Sequence, residues 1–356
     1  MNLKRQSCGY SIVELVVVIV VIGILATIVI VSYNGVQNRA IANSLRSDLN
    51  NASDFLRVDR TLSSTGVFPT TLAAANGGMG VKASSGTAFT YTVNNTNTPK
   101  TFCLTATKNA QSYNINQEGI SFAGPCPVLW LDAGVATSYP GTGTTWNDLS
   151  GNANSATLVG GVVYSNVNSG VMDINGTTGY ITAGSGSSLN FGIGSFTVSY
   201  WGKYDSYTYP KTFGSIKKSN PNCFSAGGKG WDFGHTYNPS GIDVCVNDGV
   251  NLVRNTLIFN VGARPPDLLN KWTHFVYVVN RSSDRVIGYV NGVRQTSEIN
   301  ISAVTGSTDN TDTLVFGTLY GWFVDGMISD VRLYNDKLSD DEILQNFNAL
   351  HNRYGI

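Results

Sequence analysis

From Leu15 to Val31 the chain is almost wholly apolar, broken only by Gly23, Ala26 and Thr27, and a single acid, Glu14, stands at the mouth of the run. Roughly 20 apolar residues cross a bilayer as a helix, and Ile12 to Val31 supplies that length. Its Val and Ile content suits a helix only where packing or lipid removes other options. A lone carboxylate in such a place is costly and has, as a rule, a partner and a task. Ahead of it lies a short basic stretch, Met1 to Gly9, with Lys4 and Arg5 and the ending Ser7-Cys8-Gly9. Those two cations favour the cytoplasmic side. The partner this arrangement offers Glu14 is an α-amino group freed by cutting the chain after Gly9. An ordinary secretory signal has a shorter apolar region with its small residue behind it. Here the small residue comes first, so a plain signal anchor is the simpler alternative.

Gly9, Tyr10 and Glu14 in this setting resemble the N-terminus of type IV prepilins. The resemblance implies that a membrane peptidase cuts after Gly9 and that the new N-terminus, Tyr10, is methylated. It also implies that Glu14 neutralises the N-terminal amine of a neighbouring subunit. Two departures stand out. Members usually begin with Phe where this chain has Tyr10. They also carry a late proline where this chain reads Ile30-Val31-Ser32. The partners implied are other pilin subunits, the prepilin peptidase and the pilus assembly platform. The implied location is the cytoplasmic membrane before assembly and an extracellular pilus afterwards.

Past the membrane segment, Ile41, Leu45, Leu49, Ala52 and Leu56 recur at helical spacing and form one apolar stripe. The expectation is a leader over 1–9 and a long helix over 10–66, with its membrane or filament core at 12–31. The distal half of that helix would be covered by a β head at 67–127; a bare stalk or coiled coil is the alternative. Within the head, Phe89 to Val93, Thr101 to Thr107 and Tyr113 to Ile115 read as short antiparallel strands. The fold class expected for the whole chain is an α+β pilin followed by an all-β sandwich with a C-terminal helix.

Composition supports an exported, β-rich chain of more than one unit. Charged residues are only 13%, with 39 Gly and 17 Tyr in 356 residues. The formal charge is zero, 23 basic against 23 acidic. A nucleic-acid footprint would need a basic stripe, so no nucleic-acid partner is expected. Of the five cysteines, Cys8 would leave with the leader. The other four, in an oxidising compartment, imply two bridges. Three pairings are formally open. The economical one joins Cys103 to Cys126 and Cys223 to Cys245, each worth roughly 3 kcal/mol by loop closure.

Residues 128–356 read as many short strands with Gly-rich turns and one closing helix. Asn291-Gly292 is a two-residue hairpin signal. Ser339 with Glu342 makes a capping box, and Ile343, Phe347 and Leu350 form the helix's apolar face. Many strands and one helix mean a double-sheet sandwich. Trp146 to Asn152, Ser195 to Trp201, Lys271 to Gly292 and Asp325 to Glu342 together resemble laminin-G-type, concanavalin-like jelly rolls. That fold hosts lectins, protein-binding modules and glycosidases.

Glycosidases need a close pair of carboxylates. Glu298 and Glu342 are the only glutamates in this part, with no spaced acidic array on a strand. No enzyme is expected. The resemblance leaves calcium open as a cofactor, because such sandwiches often hold the ion at a loop rim. The candidates for it are Asp232, Asp243, Asp248, Asp309, Asp312 and Asp325. Two aromatic-rich stretches offer Tyr207, Tyr209, Trp231, His235 and Tyr237 as anchors for a surface glycan or protein ligand. Solvated turn carboxylates and core packing are the plain readings of the two sets. The function expected is a type IV pilus subunit with an outward-facing adhesive sandwich. A purely structural pilin, or a pseudopilin of a secretion or DNA-uptake machine, is the alternative.

Overall fold

The computed structural model describes residues 11–356 except 185, 207–210, 221–222, 226, 235–239 and 320. Helix α1 runs unbroken over Ile12–Leu62. With no proline in that span, nothing interrupts its hydrogen-bond ladder. Its Ile12–Val29 portion is apolar, and none of it is buried. At about 1.5 Å per residue those 18 residues rise roughly 27 Å, close to the thickness of a bilayer's hydrocarbon core.

The second half of α1 is covered. Strands β1 (Ala88–Asn94), β2 (Thr101–Lys108), β3 (Gln111–Asn116) and β4 (Ser121–Ala123) form an antiparallel meander. The α1 stripe of Ile41, Leu45, Leu49, Ala52 and Leu56 packs on Phe102, Leu104, Ala106 and Ile115 of that sheet. Two acids on α1 hold the segment between helix and sheet. Asp48 accepts from the Ser84 backbone N–H at 3.1 Å and its hydroxyl at 2.7 Å. Asp59 accepts from the N–H groups of Asn76 and Gly77. The Cys103–Cys126 disulfide straps the end of the head back onto β2.

The rest of the chain is a two-sheet sandwich. In chain order its strands begin with β5 (Leu129–Asp132), β6 (Thr145–Trp146), β7 (Ala156–Val159), β8 (Val162–Ser165), β9 (Val171–Asn175) and β10 (Tyr180–Ala183). There follow β11 (Phe196–Tyr204), β12 (Lys211–Thr212), β13 (Ile216–Asn220), β14 (Lys229–Gly234), β15 (Gly241–Asp248) and β16 (Leu252–Ile258). A short helix, α2 (Pro265–Leu268), leads to β17 (Thr273–Asn280), β18 (Arg285–Val290) and β19 (Val293–Asn300). The last strands are β20 (Leu314–Phe316), β21 (Thr318–Leu319) and the long β22 (Trp322–Tyr334), before helix α3 (Asp340–Tyr354). Among the described residues one sheet has the order β16-β15-β14-β13-β20-β10-β7-β6, and the other β19-β18-β17-β11-β22-β9-β8. Strands β5, β12 and β21 also pair with β22.

The central strands of the second sheet are buried on both faces. Phe196, Val198 and Tyr200 of β11 and Phe275, Tyr277 and Val279 of β17 point into the sandwich core. Val276 and Val278, with the neighbouring Tyr334, face outward onto Leu338 and Ile343. Trp201 stacks on Tyr354 with ring centroids 4.1 Å apart. Helix α3 is therefore the lid of that outer face. Ser339 and Glu342 form its capping box, and Gly355 closes it in the left-handed region at φ 72°. The Asn291-Gly292 turn, both residues at positive φ, makes the β18–β19 hairpin.

The same helix ties sandwich to head. The buried Asn346 side chain accepts from Ala123 N–H at 2.9 Å and donates to its carbonyl at 3.0 Å. It thus satisfies the free edge of β4 as another strand would. The Ser112 hydroxyl donates to Glu342 at 3.0 Å, and the Tyr113 hydroxyl donates to Gln345. Phe122 of the head packs edge-on against Trp130, with the Arg332 guanidinium 3.5 Å from the Phe122 ring centre. That guanidinium is paired with Asp330 at 2.9 Å.

Candidate functional site

The N-terminal site is built by the first turn of α1. Ser11 is the N-cap, and its hydroxyl accepts from Glu14 N–H at 3.1 Å. The Glu14 carboxylate reaches back to accept from Ser11 N–H at 2.8 Å. This capping box gives the lone acid a partner within its own chain, at the end of the helix where the macrodipole favours negative charge. Beyond it every side chain to Val29 is exposed. Gly9 and Tyr10 lie outside the described residues.

In the sandwich, the six aspartates put forward for calcium do not converge. Among the described residues no group of three or more His, Cys, Asp or Glu could hold a metal ion. The chain's own groups serve most of them instead. Asp243 accepts from the Thr256 hydroxyl at 3.0 Å and faces Arg254 at 3.8 Å. Asp325 pairs with Lys211 at 3.5 Å. Asp248 is a turn acceptor. Against the upward pull of burial, the N–H groups of Asn251, Gly306 and Val250 hold its pKa at about 2. Asp309 accepts from Gly192 N–H at 2.6 Å. Asp232 is wholly buried on β14, between Lys217 and Cys245 in register. The calcium expectation is corrected to that extent: these six residues do not form one rim.

The aromatic set needs a correction as well. Trp231 is not on a binding loop. It sits inside β14, 1% exposed, with its ring 5.4 Å from both Phe196 and Phe233. The flanking glycines explain how. Gly230 and Gly234 have φ of +131° and +135°, and a Cβ there would lie 2.1 Å from the Lys218 carbonyl oxygen and 2.5 Å from that of Gly214. Only glycine lets the strand lie so close to its neighbour. Tyr207, Tyr209, His235 and Tyr237 lie outside the described residues. The second disulfide, Cys223–Cys245, pins the β13–β14 connection to β15.

Sequence reasoning passed over one polar centre. Lys218 lies on β13, two residues after the inward-facing Ile216, so strand alternation turns it inward too. It is 1% exposed. Its ammonium donates to Asn190 Oδ1 at 2.7 Å and to Asn310 O at 2.8 Å and Oδ1 at 3.2 Å. Burial pulls its pKa below the ordinary lysine value, while the charges of Asp309 and Asp312 pull it back up. No local signal marks it: apart from Ile216, β13 is polar throughout, with Lys217, Lys218, Ser219 and Asn220.

Comparison with known proteins gives two family matches. Residues 4–30 match the prokaryotic N-terminal methylation motif. Residues 175–344 match the laminin G family described as the concanavalin A-like lectin/glucanases superfamily. No curated protein matches the chain. Among solved structures, the binding domain of Paraclostridial Mosquitocidal Protein 1 is 17% identical, with a TM-score of 0.50, over 64% of this chain and 55% of that one. The botulinum neurotoxin serotype G binding domain is 15% identical, with a TM-score of 0.48, over 62% of this chain and 50% of that one. The chain thus spans about half the length of these structures, and the likeness to the first is one of fold. It carries a type IV N-methylation motif and a laminin-G-like, concanavalin-like domain.

Proposed function

We propose that this chain is a type IV pilus subunit whose sandwich faces outward and binds glycan or protein ligands on surfaces, without catalysis. One observation carries the reading. An apolar helix with no buried side chain, and an acid at its mouth, runs without a break into the core of a small β head.

Lipid satisfies such a helix before assembly, and neighbouring helices satisfy it in a filament. Cutting after Gly9 would free the amine of Tyr10. In hydrocarbon an amine and a carboxylate are each penalised alone and attract strongly as a pair. Glu14 would then exchange its partner at Ser11 for the amine of a neighbouring subunit. A helical, non-closing array of subunits follows from such a head-to-tail contact. The sandwich supports binding by its fold alone, since this fold carries recognition in many settings.

Gly9→Val is expected to leave the leader attached; mass spectrometry finding the mature N-terminus in that variant would sink the prepilin reading. Glu14→Ala is expected to be processed but absent from sheared, purified filaments, and wild-type amounts there would rule the pairing out. Wild-type filaments are expected to bind members of a glycan and cell-surface panel that filaments lacking this subunit do not. Equal binding would leave a purely structural pilin.

A further inference from the structure

We propose that the head of this chain is finished by the chain's own last helix, so that α3 acts as a completion latch and a subunit enters a fibre only once its sandwich is closed. The second half of that statement rests on the pilus reading; the first concerns folding alone.

The head comes first in the chain and has one weak side. Its last strand, β4, is three residues long and lies at the edge of the sheet, next to β3. So short a strand has few ladder bonds, and its outer N–H and C=O groups need partners. Helix α3 supplies them. Asn346 bonds both backbone groups of Ala123, while Glu342 and Gln345 accept from the hydroxyls of Ser112 and Tyr113 on β3. Phe122 of β4, 2% exposed, shares a cluster with Trp130 and Leu149 of the sandwich, and Leu350 of α3 packs against that cluster.

The topology puts this help at the end of the chain. Helix α3 seats on the outer face of the β17-β11-β22 sheet, through Ile343 on Val276, Val278 and Tyr334 and through Phe347 beside Trp201. That face is incomplete without β22, which lies between β11 and β9 and is the last strand in sequence. The other anchorage waits for the same strand. Among the described residues β5, which leaves the head directly, finds its strand partner in β22, with Leu129 opposite Leu333. Both anchorages thus draw on residues 322–356. Contacts so far apart in sequence form late, because a long loop must close before they gain anything. Until then the edge of β4 stays open to a strand from another chain. A docked α3 therefore reports that the sandwich behind it is built.

The test follows backbone amides of the full chain in detergent, refolded from denaturant with its disulfides intact. In pulsed hydrogen exchange β2 and β3 are expected to gain protection first, and Ala123 in the same later phase as β22 and α3. Protection of Ala123 together with β2 and β3, ahead of α3, would overturn the latch; this measurement needs no variant. Ile343→Ala then loosens α3 from the sandwich side, far from any head contact. Exchange at Ala123 in the folded variant should quicken by roughly tenfold or more, with Ile343→Val close to wild type. An unchanged rate in Ile343→Ala also overturns the latch. In cells, Ile343→Ala is expected to be cut after Gly9 yet to reach filaments several-fold less often per molecule in the membrane; equal incorporation overturns the gating. A wild type missing from filaments would overturn the pilus reading and the gating with it, while the exchange rates decide the latch by themselves.

Discussion

His274 sits where a titratable group is least at ease. It is 2% exposed, its Nε2 is 2.9 Å from the Ser199 hydroxyl, and its ring stacks on Trp201. Burial, and then the charge of Arg332, lowers its pKa from 6.5 to about 3. In the unfolded chain the same ring takes up a proton near its ordinary value. Its contribution to stability is therefore complete above that value and declines as pH falls toward the folded pKa. The slope reaches about 1.4 kcal/mol per pH unit. Urea unfolding at pH 7 and pH 4 should show a smaller pH difference for His274→Gln than for wild type; equal differences would refute this assignment. Residue-scale reading of the sequence met its limits at such buried polar groups. Glu14 stands out in the sequence because lipid makes any acid conspicuous. Trp231 was misplaced because an aromatic between glycines looks the same in a loop as in a strand squeezed against its neighbour. Lys218 was passed over because nothing local distinguishes a buried lysine from a solvated one.

Element α3 does two tasks with one amphipathic surface, lid to the sandwich and clasp to the head. Its buried Asn346 supplies both bonds that β4 lacks. Asn346→Ala leaves an N–H and a carbonyl buried without partners, a cost of roughly 2–4 kcal/mol. Denaturant unfolding should register that loss, and limited proteolysis should cut near 124–128 faster than in wild type. Unchanged proteolysis would mean that the Phe122–Trp130–Arg332 packing holds the joint by itself. Several elements could be read directly. The capping box marked the start of α3, the Asn-Gly pair marked the β18–β19 turn, and the four-and-three spacing marked the buried stripe of α1. Strands β14, β15 and β16 carry weak strand signals. Their glycines, asparagines and aspartates carry turn-like signals, while pairing across the sheet, set by distant residues, decides the outcome. The clasp itself joins Ala123 to Asn346 across 223 positions, a separation no local pattern spans.

At the scale of the molecule, head and sandwich share side chains across their boundary, so in the proposed filament each subunit should hold its sandwich in one orientation. Cryo-electron microscopy of purified filaments is expected to resolve the sandwich nearly as well as the head, with Asn346→Ala blurring the sandwich alone. A smeared wild-type sandwich would contradict a fixed joint. Immunogold with an antibody to residues 128–356 adds the copy number: label along the fibre for a major subunit, at tips for a minor one. The joint also has a mechanical side. The chain leaves the head at Cys126–Pro127 and enters β5, which lies antiparallel along β22 from Leu129↔Leu333 to Asp132↔Asp330. A pull along β5 loads those bonds together, in shear, instead of peeling them one at a time. The clasp of α3 on β4 takes part of the same tension by a separate, non-covalent route. In the proposed pilus, drag on the sandwich would therefore be shared between two bearings, the β5–β22 pairing and the α3–β4 clasp, and would reach α1 before the sandwich gave way.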